Sequence, residues 1–200
     1  MKIKAIFFDF GGVIQRTEYQ APRQKLAEKF GMEYDDIDKF IFNNPTAHQA
    51  SVGEIKIDEH WQVIAKKLKL GKDELAKFQS EFFGGDVIDY ELVQFIRSLR
   101  PAYKTGLISN AWSDMRQYLI SKKLDDAFDS LTISAEVKIA KPDAKIYYIA
   151  LDSLGVKASE SIFVDDVPAN IEACEKLGMH GVLFRDVNDV MGELRKMLKV

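Results

Sequence analysis

Asp9 closes the apolar run Ile3-Lys4-Ala5-Ile6-Phe7-Phe8, and comparable polar residues follow the later β-rich runs of the 200-residue chain. Ser109 and Asn110 end Thr105–Ser109, Asp165-Asp166 follow Ser161–Val164, and Lys141-Pro142 lies between Leu131–Ser134 and the next helical stretch. Each has a plain structural reading by itself. Asp9 serves a turn, Ser109 caps a helix, Lys141 is solvated, and Asp165-Asp166 form a helix cap before Pro168. Taken together they make a mixed-charge cluster with no packing purpose. Two carboxylates about 4 Å apart repel by about 4 kcal/mol at an effective dielectric of about 20, so Asp9, Asp165 and Asp166 cannot gather unneutralised. Lys141 supplies one positive charge, and a hard divalent ion with oxygen ligands, best Mg²⁺, supplies the rest.

The elements that must position these residues follow from periodicity. The first run reads as a buried strand ending at the permissive turn Phe10-Gly11-Gly12. Between Ala21 and Phe83 the spacing turns helical, over 22–30, 35–42, 58–70 and 73–83. Ile57, Trp61, Ile64 and Leu68 form one apolar stripe there. After Gly84-Gly85 helices and strands alternate. A helix over 88–99 precedes strand 105–109, and a helix over 114–123 precedes strand 131–134. Helix 143–154, strand 161–164, helix 168–177, strand 180–184 and helix 187–198 complete the chain. Strands separated by helices require long right-handed crossovers, which predicts an α/β, doubly wound, Rossmann-like parallel sheet. The expected boundaries are 1–14 with 87–200 for the core and 15–86 for an inserted helical cap. Glycine pairs at both junctions would let the cap hinge over the sheet edge. In such sheets ligands bind beyond the carboxyl ends of the strands, where the polar residues named above sit.

Composition excludes several classes. Hydrophobic residues at 46% and charged residues at 30% are ordinary for a globular chain, and the net charge of −3 carries no basic block for nucleic acid. No apolar run is long enough to span a membrane. Cys174 is the single cysteine, so no internal disulfide is available, and a cytoplasmic protein is expected, as monomer or homodimer. Lys66-Lys67-Leu68-Lys69 reads as the wet face of a cap helix, and Cys174, in step with Ile171 and Leu177, as a small buried hydrophobe.

The ordered segments resemble the haloacid dehalogenase superfamily, in its Mg-dependent phosphatase branch with a helical cap after the first strand. Phe7-Phe8-Asp9-Phe10-Gly11-Gly12-Val13-Ile14 resembles the first motif and Leu107-Ile108-Ser109-Asn110 the second. Lys141-Pro142-Asp143 resembles the third, and Phe163-Val164-Asp165-Asp166 with Asn170 the fourth. Ser109-Asn110-Ala111-Trp112 and Gly53-Glu54-Ile55 are similar to sugar-1-phosphate phosphatases and to the amino-terminal phosphatase domain of soluble epoxide hydrolases. The resemblance implies a phosphatase for a small phosphorylated metabolite, such as a sugar phosphate. In it, Asp9 would form an aspartyl-phosphate. Asp9, the Gly11 carbonyl and Asp165 or Asp166 would hold Mg²⁺, while Ser109 and Lys141 would stabilise the transferring phosphoryl group. Gly12, Asn110, Arg16 and His48 are the expected substrate contacts.

One position departs from the pattern. The branch usually carries an acid–base Asp two residues after the nucleophile, and here that residue is Gly11. A backbone carbonyl remains, but the proton donor is gone. Such a loss costs about 10²–10⁴ in rate, small beside phosphatase accelerations that reach about 10²¹. A substrate with a good leaving group, such as a sugar-1-phosphate or acyl phosphate, is therefore expected. The alternative is a surrogate acid from the cap, for which His48 in the loop 45–49 is the candidate because imidazole titrates near neutrality. His60 and His180 read as structural. Competing readings are a metal-independent 2-haloacid dehalogenase, which has no use for the Asp165-Asp166 pair, and a phosphate-sensing module in which Gly11 marks decayed catalysis.

Overall fold

The computed structural model describes residues 2–198. The buried strand β1 (Ala5–Phe8) is followed by a three-residue strand, β2 (Gln15–Thr17). Helices α1 (Ala21–Lys29), α2 (Tyr34–Phe42), α3 (Pro45–Ser51), α4 (Ile57–Leu68) and α5 (Lys72–Phe82) then run in succession to β3 (Asp86–Ile88). Helix α6 (Tyr90–Ser98), strand β4 (Lys104–Ser109), helix α7 (Met115–Ser121) and strand β5 (Ser130–Ile133) come next. A short helix α8 (Ser134–Val137), helix α9 (Ala144–Leu154), strand β6 (Ser161–Asp165), helix α10 (Pro168–Lys176), strand β7 (His180–Leu183) and helix α11 (Val187–Leu198) complete the order.

The main sheet has five parallel strands in the order β5-β4-β1-β6-β7. Alternation within β1 assigns its side chains to two cores. Ile6 and Phe8 join Leu92, Ile96, Leu119 and Leu194 from α6, α7 and α11, whereas Ala5 and Phe7 join Tyr147, Leu151 and Cys174 from α9 and α10. Both faces are thus covered, and the sheet is doubly wound. Cys174 is fully buried, as its spacing predicts.

Strand order reverses at β1, because β4 lies on one side and β6 on the other. The loops after β1, β4 and β6 therefore diverge and leave a crevice beyond their carboxyl ends. Register decides what stands there. Phe8 is level with Val164, and the Asp9 amide donates to the Val164 carbonyl at 2.9 Å, so the next residues, Asp9 and Asp165, become neighbours.

Three features differ from the sequence reading. β2 and β3 form a separate antiparallel ribbon at the base of the helical segment, pairing Arg16 with Val87 across 71 residues. Strands of three residues give no usable periodicity, and their pairing is nonlocal. Ile88 consequently belongs to β3, and α6 begins at Tyr90, with the Asp89 carboxylate accepting from the Leu92 amide at 2.9 Å. The segment expected as the loop 45–49 is helix α3. Asn44 Oδ1 caps it, accepting from the amides of Thr46 and Ala47 at 3.1 Å each, and Pro45 occupies the first turn without loss of a needed donor.

Candidate active site

Asp9 and Asp165 emerge side by side from β1 and β6, and Lys141 reaches between them from the loop before α9. Its Nζ lies 2.9 Å from Asp9 Oδ1 and 2.6 Å from Asp165 Oδ2, with the lysine side chain 1% exposed. The lysine is held from behind by Asn110 at the end of β4. The Asn110 amide donates to the Lys141 carbonyl at 2.9 Å, and its oxygen accepts from the Lys141 amide at 2.7 Å. Both polar ends of Asn110 are thereby engaged with the Lys141 backbone. Ser109, buried next to it, lines the cavity above the carboxylates, as does Asn110.

The two carboxylates of the Asp165-Asp166 pair have different surroundings. Asp165 is fully buried. Its Oδ1 accepts from the Val167 amide at 2.8 Å, Asn170 Nδ2 lies 3.0 and 3.1 Å from its two oxygens, and Lys141 takes Oδ2. The Asn170 carbonyl in turn accepts from the Tyr147 hydroxyl at 2.9 Å. Asp165 is saturated with donors and acts as an anchor for Lys141. Asp166 instead turns to the cavity, and its carboxylate packs on the Gly12 backbone. A Cβ at residue 12 would stand 2.1 Å from Asp166 Oδ2, and the φ of +78° there also favours glycine.

Burial raises the Asp9 carboxyl from 3.8 to about 6. Lys141 pulls it down by charge, and Asp165 adds to the rise. Burial also raises Asp166, again with Asp165 contributing. One ligand oxygen from each of Asp9, Asp165 and Asp166 falls within 4.8 Å of the others, so three carboxylates share a site that contains one ammonium. The remaining charge of about −2 fits a divalent cation with oxygen ligands.

Replacing Lys141 by Met leaves Asp9 and Asp165 facing each other without a cation. In the metal-free protein at pH 8, Lys141→Met is expected to cost about 3–5 kcal/mol of stability. The sign with pH is fixed. A carboxyl whose folded pKa exceeds its unfolded 3.8 loses folding stability as pH rises towards the folded value, so the penalty should shrink by pH 5, where Asp9 is protonated. Urea midpoints at the two pH values check this, and an equal penalty at both would contradict the charge argument.

Above the carboxylates lies a cavity of about 1220 Å³ between the strand ends and the helical segment, lined by Gly11, Gly12, Arg16, His48, Ser109, Asn110 and Asp166 among others. Gly11 is open: a Cβ built there meets nothing within 4 Å. The Arg16 guanidinium is engaged, donating to Val13 O at 2.6 Å, to Glu18 at 3.0 Å and to Asp89 at 2.8 Å. His48 reaches the cavity from α3. His60 lies away from it. It is fully buried, with Nδ1 2.9 Å from the Thr46 hydroxyl, and burial lowers its pKa.

The sequence did not point to Phe42, Phe83, Asp114 and Tyr118, which also line the cavity. They come from α2, the end of α5 and the start of α7, and carry no local motif. Trp112, inside a quoted stretch but without a role, stacks on Phe42 with ring centroids 5.5 Å apart and packs against His60 and Trp61. Together with Ser134 Oγ donating to Ser51 O and Lys138 Nζ donating to Gly53 O at 2.6 Å, it docks the helical segment on the sheet domain. The strand ribbon and these contacts hold the segment down over the crevice.

Among the described residues no helix is long and apolar enough to cross a membrane. The chain is 30% identical over 204 residues to bifunctional epoxide hydrolase 2 of Rattus norvegicus; the match covers 93% of this chain and 35% of the relative, so the chain spans about a third of that protein's length. It is 26% identical to a sesquiterpene phosphatase of Aspergillus oryzae, covering 98% of this chain and 96% of the relative. Its fold matches that of a HAD family enzyme of Bacteroides thetaiotaomicron, solved with magnesium and inorganic phosphate, at a TM-score of 0.78 and 20% identity, over 94% and 98% of the two chains. The profile of the haloacid dehalogenase-like hydrolases matches residues 3–178, and this chain belongs to that family.

Proposed function

We propose that the protein is an Mg²⁺-dependent phosphatase of a small phosphorylated metabolite, acting in the cytoplasm through an aspartyl-phosphate on Asp9, with residues 15–86 as its cap. The observation that carries this reading is the buried Lys141 between Asp9 and Asp165, with a further carboxylate, Asp166, beside them on the cavity floor. A hydrolase that attacks a neutral carbon has no need of that third acid. The relative named a phosphatase, and the structural neighbour solved with magnesium and phosphate, support the same assignment.

Asp9 Oδ1 is committed to the Phe10 amide at 2.7 Å and to Lys141, which leaves Oδ2 for phosphorus. Attack forms the Oδ2–P bond and breaks the bond from phosphorus to the leaving oxygen, which departs with its electron pair. Water then attacks phosphorus, returning Asp9 as a carboxylate and releasing inorganic phosphate. Lys141 and the Ser109 hydroxyl offset charge on the phosphoryl oxygens, and Asn110 keeps the lysine at its post. Asp9, Asp166 and the Gly11 carbonyl would hold Mg²⁺, with Asp165 reserved for Lys141. The ion would supply the positive charge that lets one anion approach another. The leaving oxygen has no side-chain proton donor at residue 11.

The test is phosphate release from p-nitrophenyl phosphate and a panel of sugar, alkyl and nucleotide phosphates, with Mg²⁺ and with EDTA. Turnover with the metal and its loss in EDTA are expected. Chloride release from 2-chloropropionate in EDTA would replace this reading with the dehalogenase. Tight binding of phosphorylated ligands without any turnover would replace it with a sensing module.

A further inference from the structure

The cavity wall opposite the carboxylates is aromatic. Phe42 stacks on Trp112 with centroids 5.5 Å apart, Trp61 meets Trp112 edge-on at 5.7 Å, and Phe83 closes on Trp61 at 6.2 Å. Although packed on Trp112, Phe82 and Phe83, Phe42 remains 46% exposed and lines the cavity, so part of its apolar surface is open there. Trp112 lies three residues beyond Ser109 in the same loop. At no more than about 3.6 Å per residue, the wall begins within roughly 11 Å of the hydroxyl at the phosphate end.

Most polar groups around the cavity are already committed to one another. Arg23 donates to Asp38 at 2.9 Å, to Asp86 at 2.8 Å and to the Phe82 carbonyl at 3.1 Å. The Thr17 hydroxyl donates to Asp86 at 2.8 Å, and the Tyr118 hydroxyl donates to Gln15. A site that selects a sugar needs free donors and acceptors for its hydroxyls, since the discrimination comes from groups that would otherwise stay unpaired. Several of the polar side chains are thus spent on the protein itself; among the described residues His48, Ser80, Asp114, Lys122 and the indole N–H groups of Trp61 and Trp112 are exceptions, with Ser109 and Asp166 at the phosphate end. The cavity, about 1220 Å³ and partly open to solvent, has room for an organic group larger than a three-carbon sugar.

Resting on the phosphatase reading above, we propose that the cavity selects phosphomonoesters whose organic part is a hydrocarbon chain or ring, with the phosphate at Asp9 and the hydrocarbon against Phe42, Trp112 and Phe83. Sugar phosphates are then the poorer substrates, because most of their hydroxyls would lose water against ring faces, with only the indole N–H groups of Trp61 and Trp112 to replace it. Burial of each methylene is expected to improve binding about fourfold until the wall is covered.

The experiment is kcat/KM for n-alkyl phosphates from ethyl to octyl beside glucose-6-phosphate, with the full Mg²⁺-loaded chain. A rise of about fourfold per methylene is expected, with octyl phosphate at least about 100-fold better than glucose-6-phosphate. Phe42→Ala, compared at equal folded fraction because Phe42 also packs on Trp112 and Phe82, is expected to flatten the rise and lower the octyl-to-ethyl ratio about tenfold or more. A flat series, or glucose-6-phosphate equal to octyl phosphate, overturns the proposal and leaves the phosphatase reading intact. If these esters are not hydrolysed but p-nitrophenyl phosphate is, the phosphatase reading stands and binding of the alkyl series is read instead from quenching of Trp61 and Trp112 fluorescence. If p-nitrophenyl phosphate is not turned over either, the phosphatase reading fails and the same binding measurement applies. Affinity rising with chain length supports the apolar wall as the ligand site, and affinity independent of chain length overturns it.

Discussion

Gly11→Asp is expected to raise kcat for a simple alkyl phosphate by about 10²–10⁴-fold, the usual worth of a placed general acid. Steric cost is absent: nothing lies within 4 Å of a Cβ at residue 11, its φ is not in the left-handed region, and the residue lines the cavity above Asp9. The gain should depend on the leaving group. An alkoxide departs poorly without a proton, whereas p-nitrophenolate needs little help, so p-nitrophenyl phosphate should gain much less. A new basic limb should also enter the pH–rate profile, since the added acid works only while protonated. Without Mg²⁺ the variant should melt lower than the parent above pH 6, because another carboxylate joins three. Equal gains on both esters, or none, would show that the leaving oxygen does not pass residue 11.

Asp9→Asn should act in opposite directions on activity and on stability. Turnover is expected to fall by roughly 10⁴-fold or more, because the amide cannot take the phosphoryl group. The metal-free protein should gain stability at pH 8. Burial raises the Asp9 carboxyl from 3.8 to about 6, so the folded state holds its proton more tightly than the unfolded chain does. Stability from this group is full below 3.8 and is lost as pH climbs to 6, a difference on the order of 3 kcal/mol. The asparagine removes the ionised form, and its Oδ1 still accepts from Lys141 and the Phe10 amide. Urea midpoints of the two proteins should therefore coincide near pH 4 and separate by pH 8, with the variant higher. A variant less stable at pH 8 would mean that Asp9 is held there for the fold and not for chemistry.

The part of the site that the sequence made legible is the part built from strand ends. Ile3–Phe8, Thr105–Ser109 and Ser161–Val164 are apolar β-rich runs broken by a polar residue, and a doubly wound sheet forces such breaks to one edge. Asp9, Ser109 and Asp165 are legible for that reason, and Lys141 because it lies in the loop between a strand and the next helical stretch. The Asn44-Pro45 pair that starts α3 is a local cap signal, and it too lies in the sequence. The ribbon of β2 and β3 was not legible, since each strand is three residues long and its partner is some 70 positions away.

What the linear sequence determined is the α/β order, the two-faced core and the acids that meet at one end of the sheet, because period and strand termini are local properties. The tertiary structure alone decided the rest. It saturates Asp165 with Lys141, Asn170 and the Val167 amide while leaving Asp166 open on Gly12, although the two are adjacent in the chain. It also gathers Phe42, Trp61, Phe83 and Trp112 from distant segments into one wall. Both outcomes depend on which side chains pack around a residue, and that is set by contacts between elements far apart in sequence.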